Sequence, residues 1–286
     1  MKEQVTYDLI PNAPNKSWSH RFRYSVLALL LLAVGAQGMA KKPTEKELFK
    51  ERLAKAEAMF QERCKTAGEK IYRTVDKVDG IFLLKLRPEG SNHGNQFAMD
   101  DPYGSDSGGE SYIKTFFSGF YPIPWNPSPV WHRRLGYLYV EAIDPQNNKR
   151  YRYTGALREV DVKLSGLSGG GTVRQTRFVL DKFPAPGAPP RYGVTYDDIS
   201  THEEREYWIA GSSLKVVDLK NNEVIAERVG YMMDRRQGDR SGGRSPWLLA
   251  ARIACPAFPA DPGGHPLQVD QTREFVLRML KPVQEK

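Results

Sequence analysis

An uninterrupted apolar run at residues 26–36, VLALLLLAVGA, divides this chain before anything else is considered. It carries no charge, and Leu and Ala cover every helical face without a polar stripe, so it does not read as one side of a core helix. His20, Arg21 and Arg23 precede it, and the small-residue exit Gly35-Ala36-Gln37-Gly38-Met39-Ala40 follows. A basic flank, a short apolar core and a small-residue exit direct a chain into or across a membrane, with the basic side held in the cytoplasm. Residues 24–40 are therefore expected to be either a cleaved signal peptide or a retained membrane anchor. Cleavage after Gly38 or Ala40 is sterically acceptable. Residues 24–36 fall short of the roughly 20 that span a bilayer, which favours cleavage. The long leader at residues 1–23, expected to be disordered and cytoplasmic, contains Glu3 and Asp8 and favours retention. No cysteine directly follows the run, so a lipid-modified cysteine is excluded there.

Residues 41–286 are expected to form one exported domain. Hydrophobic residues at 40% and charged residues at 27% suit a soluble fold. The net charge of +8 is spread along the chain, with no run of five like charges. The densest basic stretch, residues 228–244, also contains Asp234 and Asp239. Clustered, unrelieved basic residues would be needed for nucleic acid, so none is expected as a partner. The two cysteines, Cys64 and Cys255, both fall beyond the apolar run. In an oxidising compartment such a pair usually joins. The loop would enclose nearly the whole domain and is worth on the order of 4–5 kcal/mol by chain entropy. The alternative is two separately buried thiols. Neither cysteine has a second Cys or His at ligand spacing, so no metal site is expected.

Residues 44–67 carry the clearest helical pattern. Thr44 and Glu47 form a capping box, and Leu48, Phe49, Leu53, Ala56, Phe60, Cys64 and Ala67 recur at steps of three and four. Gly68 is a natural stop. Strands are expected at residues 81–86, 137–143, 150–154, 173–181, 207–210, 214–219 and 224–231. Asn147-Asn148 and Asn221-Asn222 sit at the tips of two hairpins, where Asn tolerates positive φ. A last short helix at residues 272–280 places Phe275, Val276, Met279 and Leu280 on one side. The expected class is α+β: a mostly antiparallel sheet built from hairpins, flanked by an N-terminal amphipathic helix and a short C-terminal helix. A parallel βαβ arrangement is disfavoured because no helical pattern separates the strands.

Several motifs invite over-reading. SDSGG at residues 105–109 echoes a serine-protease nucleophile segment, but only His20 and His93 precede Ser107 and neither has a suitable context. LSGGG at residues 167–171 echoes an ATPase signature loop, yet the chain has no GxxxxGK[ST]. Asp100, Asp101, Asp106 and Glu110 crowd one Gly-rich loop without calcium-loop spacing. His202 beside Glu203 and Glu204 reads as a surface turn. No catalytic residue and no cofactor is expected.

The aromatics are more informative. Tyr112, Phe116, Phe117, Phe120, Tyr121, Trp125, Trp131, Tyr137 and Tyr139 crowd one region, with prolines alternating in YPIPWNPSP. Alternating prolines pre-order an extended backbone, and Tyr and Trp are common interface anchors. The rings either bury as core or form a binding surface. In the second case Tyr121, Trp125 and Trp131 are the partner-binding candidates.

The stretches ERCKTAGEKIYRTV (residues 62–75) and GIFLLKLRP (residues 80–88) resemble exported envelope proteins of Gram-negative bacteria that have no assigned activity. The resemblance implies an envelope location and carries no catalytic residues. The expected function is a non-catalytic periplasmic binding or assembly domain with an envelope protein partner. The alternative is an envelope hydrolase working from the acidic loop at residues 100–110.

Overall fold

A computed structural model describes residues 42–89, 94–104, 108–117, 119–122, 131–163, 171–260 and 268–283. The leader and the apolar run at residues 24–40 lie outside the described residues. Among the described residues, no helix is long and apolar enough to cross a membrane. The chain divides into two compact units, Met1–Glu47 and Leu48–Lys286. In the first, the Thr44 hydroxyl accepts from the Glu47 amide at 3.3 Å, and the Glu47 carboxylate accepts from the Thr44 amide at 2.7 Å. This is the expected capping box, and it opens helix α1 (Glu45–Cys64).

The second unit has mixed α and β structure dominated by one large sheet. Its elements begin with β1 (Gly68–Ile71), β2 (Val75–Val78), β3 (Gly80–Leu83), α2 (Gly109–Lys114), β4 (Gly119–Pro122) and β5 (Trp131–Arg134). They continue with β6 (Tyr139–Ile143), β7 (Arg150–Lys163), β8 (Thr172–Pro184), β9 (Tyr192–Asp198), α3 (His202–Glu206), β10 (Ile209–Asp218) and β11 (Glu223–Met233). The last are α4 (Pro246–Ala250), β12 (Ala254–Cys255), α5 (Gln268–Met279) and β13 (Leu280–Pro282). The nine-stranded sheet runs β1-β11-β10-β9-β3-β6-β7-β8, with β12 paired to β11 beyond β1. β2 and β13 form a separate parallel pair, and β4 pairs antiparallel with β5.

Both Asn-tipped hairpins form: β6 with β7, and β10 with β11. Asn148 and Asn222 take φ of 55° and 56°, the left-handed values for which Asn is suited. Where the sequence shows two short strands at residues 207–210 and 214–219, one continuous strand, β10, runs from Ile209. β7 reaches Lys163, well past the expected end at Thr154, and pairs along its whole length with β8. The missed part, ALREVDVK, is solvated on both faces and lacks a clean apolar alternation.

One expectation needs correcting. β3 runs parallel to both of its neighbours, β6 and β9. Parallel neighbours need a long crossover, and the chain between β3 and β6 supplies it, with the short helix α2 inside it. Six residues of helix are too few to show as a period in the sequence.

Burial settles the helical stripes. Phe275, Val276, Met279 and Leu280 are all buried beneath the sheet's main core with Ile81, Leu83, Val140, Leu214 and Val216. The α1 stripe is used only in part. Ala56 and Phe60 pack with Ile209, Tyr231 and Met233, whereas Leu48 is 50% exposed and Phe49 42% exposed. Salt bridges to α3, Lys55–Glu203 at 3.0 Å and Arg63–Glu204, fasten the second half of α1.

Candidate functional site

Cys64, at the end of α1, and Cys255, in β12, form a disulfide with Cα atoms 5.6 Å apart. Both cysteines pack, as do Ala67, Val229 and Ile253, against the buried cluster of Ala56, Phe60, Ile209, Tyr231 and Met233. The disulfide ties α1 to the edge of β11, and the two cysteines lie 191 positions apart in the sequence.

The aromatic segment divides. Tyr112, Phe116, Phe117 and Tyr137 are buried and belong to the main core, and the Tyr137 hydroxyl donates to the Leu280 carbonyl at 2.6 Å. Of the partner-binding candidates, Tyr121 and Trp131 lie on β4 and β5, where Tyr121 is opposite His132 and Trp131 opposite Pro122. Trp125 lies outside the described residues.

The described acids of the loop, Asp101, Asp100 and Glu110, do not gather at one point. Asp101 is wholly buried and pairs with Arg87 at 2.7 Å, itself almost wholly buried. It also accepts from the Ser212 hydroxyl at 3.0 Å and the Gly104 amide at 3.2 Å. Gly104 is required here, because a Cβ would run into the Arg87 guanidinium. Tyr196 and Tyr112 stack on that guanidinium, with ring centres 4.1 and 5.2 Å away. Burial pulls Arg87 down, but the Asp101 carboxylate and the two tyrosines outweigh it and raise it, so the cation is held. Burial also pushes the Asp101 carboxyl up, against Arg87 and Ser212. Asp100 instead meets Lys85 at 2.8 Å, and exposed Glu110 meets Lys114 at 3.5 Å. Ser105, Asp106 and Ser107 lie outside the described residues, as do residues 167–170. Among the described residues, no group of three or more His, Cys, Asp or Glu is placed to hold a metal ion. His202 is exposed, stacked on Phe97 and 3.6 Å from Glu206.

A second arginine joins this centre without a direct ion pair among the described residues. Arg228 of β11 is 2% exposed, and its Nε and Nη1 have no hydrogen-bond partner among the described residues. Its guanidinium stands 5.9 Å from the Tyr103 ring and 5.8 Å from the Phe275 ring. Burial lowers its pKa and Arg87 adds to the effect, and Tyr103, Asp101 and Glu69 offset it only in part. An uncompensated buried cation costs more than its packing returns. Arg228→Met is expected to raise unfolding stability by about 1–3 kcal/mol, measured by urea titration. A loss of stability would mean that the cation is compensated after all.

An open cleft of about 650 Å³ lies near the disulfide, lined by Asp234, Arg235, Arg236, Ser241, Gly242, Arg244, Leu249, Arg252 and Ile253. Its frame is built on Asp234, which is 1% exposed. That carboxylate accepts from Arg244 Nη1 at 2.9 Å, the Gly238 amide at 2.8 Å and the Arg236 amide at 3.1 Å. Gly238 lies against the Trp208 indole, where any side chain would collide, and its φ is +86°. Trp208 and Trp247, 4.9 Å apart, back the loop from the core. The stretch 228–244 showed its arginines in the sequence, but not that Arg228 is buried or that Asp234 takes Arg244. No spacing rule encodes that choice.

Comparison with protein families, with curated proteins and with solved structures finds no match.

Proposed function

We propose that the chain is an exported, non-catalytic binding or assembly domain of a bacterial envelope, retained at or released from the membrane by residues 24–40. The observation that carries this reading is the Cys64–Cys255 disulfide, a bond that persists in oxidising compartments. The targeting pattern at residues 20–40 supports the same location. Binding is favoured over hydrolysis because Asp101, a wholly buried acid of the acidic loop, is committed to Arg87 and Ser212. An open, arginine-lined cleft offers a surface for a ligand. The fold reads as α+β, since six of the eight pairings in the large sheet are antiparallel.

Intact mass and N-terminal sequence should be determined on protein from non-reducing membrane and periplasmic fractions of a Gram-negative host. The expected result is an envelope-located chain with both thiols oxidised. Recovery in the cytosol with free thiols would overturn the location. For binding, crosslinked envelope fractions should yield a discrete adduct that weakens on Trp125→Ala or on charge reversal in the cleft. Absence of any adduct would remove the binding role.

A further inference from the structure

We propose that the cleft lined by residues of the 234–253 stretch binds a phosphate group. The inference rests on the binding-domain reading and names the chemistry of its ligand. Four arginines line this one cleft, and their charges are answered unequally. Arg244 is 9% exposed and is spent on buried Asp234. Arg235 meets Glu57 at 3.3 Å, and both side chains are exposed. Arg236 pairs with exposed Asp239 and donates to the Ser241 hydroxyl at 3.1 Å. Arg252 is exposed, and its side chain has no hydrogen-bond or ion-pair partner among the described residues.

The remaining features suit an oxyanion. Exposed pairs such as Arg235–Glu57 are weak and readily exchanged for a better partner. Arginine presents a planar fork of donors that matches phosphate oxygens. Gly242 and Gly243 take φ of +67° and +73°, with open space where a side chain would stand, so a ligand can approach that backbone closely. Leu249 and Ile253 add an apolar part to the lining, which strengthens the electrostatics above it. The site is shallow and open to solvent, so a phosphate group carried on a larger molecule can reach it. That carrier is either an anionic lipid, through its headgroup, or a soluble phosphoester.

Full-length chain in neutral detergent should be titrated with inorganic pyrophosphate and glycerol 3-phosphate by calorimetry. In parallel, the chain should be tested on phosphatidylglycerol and phosphatidylcholine nanodiscs. Arg252→Gln is the test variant, since Arg252 is exposed and no fold contact depends on its charge. Lys149→Gln, in the β6–β7 turn, is the control. Binding to either probe is expected to weaken about tenfold in Arg252→Gln, to fall with added salt, and to be unchanged in Lys149→Gln. Loss in the calorimetry arm assigns a soluble phosphoester. Loss only on phosphatidylglycerol discs assigns a lipid headgroup. Either supports the proposal. No binding to any probe, or equal binding by wild type and Arg252→Gln, overturns it. Such a failure leaves the envelope location and crosslinking results standing, so the two readings can fall separately.

Discussion

Replacing Arg87 with methionine is expected to cost about 3–5 kcal/mol of stability at neutral pH. The reason lies in what remains behind. Asp101 is wholly buried, and without Arg87 its carboxylate keeps, among the described residues, the neutral Ser212 hydroxyl and Gly104 amide as donors. A buried charge without a countercharge is among the few single defects that large. The double variant Arg87→Met/Asp101→Asn should recover much of the loss, because neither charge is then stranded. A pH series adds a second check. In Arg87→Met, burial raises the folded-state pKa of Asp101 above its unfolded value near 4. The penalty is therefore full at high pH and fades as pH falls through the folded-state value toward about 4. Urea titrations of the three proteins across that range would show this. If Arg87→Met loses under about 1 kcal/mol, the pair contributes no more than an exposed one.

Loss of the disulfide is the second large effect. Cys64→Ser/Cys255→Ser should lose about 2–5 kcal/mol, because the bond closes a loop with a sequence separation of 191. The thermal midpoint should fall by on the order of 10 °C. The denaturant m-value should rise, since the unfolded chain is no longer constrained and exposes more surface. Reduced wild type should match the double variant. If both midpoint and m-value stay put, the bond does not constrain the unfolded ensemble.

These two effects also mark what was legible in the sequence. Local features were readable. The Thr44 capping box, the Asn-tipped hairpins and the buried face of α5 each depend on residues within a few positions of one another. The disulfide was readable for a different reason: two cysteines allow a single pairing. Non-local choices were not readable. Nothing between residues 84 and 138 announces a crossover that sets β3 parallel to β6. Leu48 and Phe49 extend the α1 stripe yet stay exposed, because periodicity shows which face is apolar and not how far a partner reaches along it. The Arg87–Asp101 pair was missed because, in sequence, a buried acid in an acid-rich loop looks like any solvated one. Its only hint was Gly104, whose missing side chain makes room for the guanidinium.

The long outer strand β8 has a consequence for how the protein behaves in a crowded compartment. An outer strand of 13 residues presents a row of backbone donors and acceptors to any passing chain. Its apolar content, Val173 with Phe178, Val179 and Leu180, would make that row adhesive. Arg174, Arg177, Asp181 and Lys182 interrupt it, and Arg177 stands opposite Arg158 across the ladder. Two facing arginines tolerate each other here because Asp181 takes Arg158 at 2.8 Å through Nη1. A second β8 laid alongside would bring Arg174, Arg177 and Lys182 with Asp181 as its one carboxylate, already taken by the Arg158 of its own chain. The charges thus act as gatekeepers: they leave the sheet open at its margin while discouraging the same sequence from adding to it.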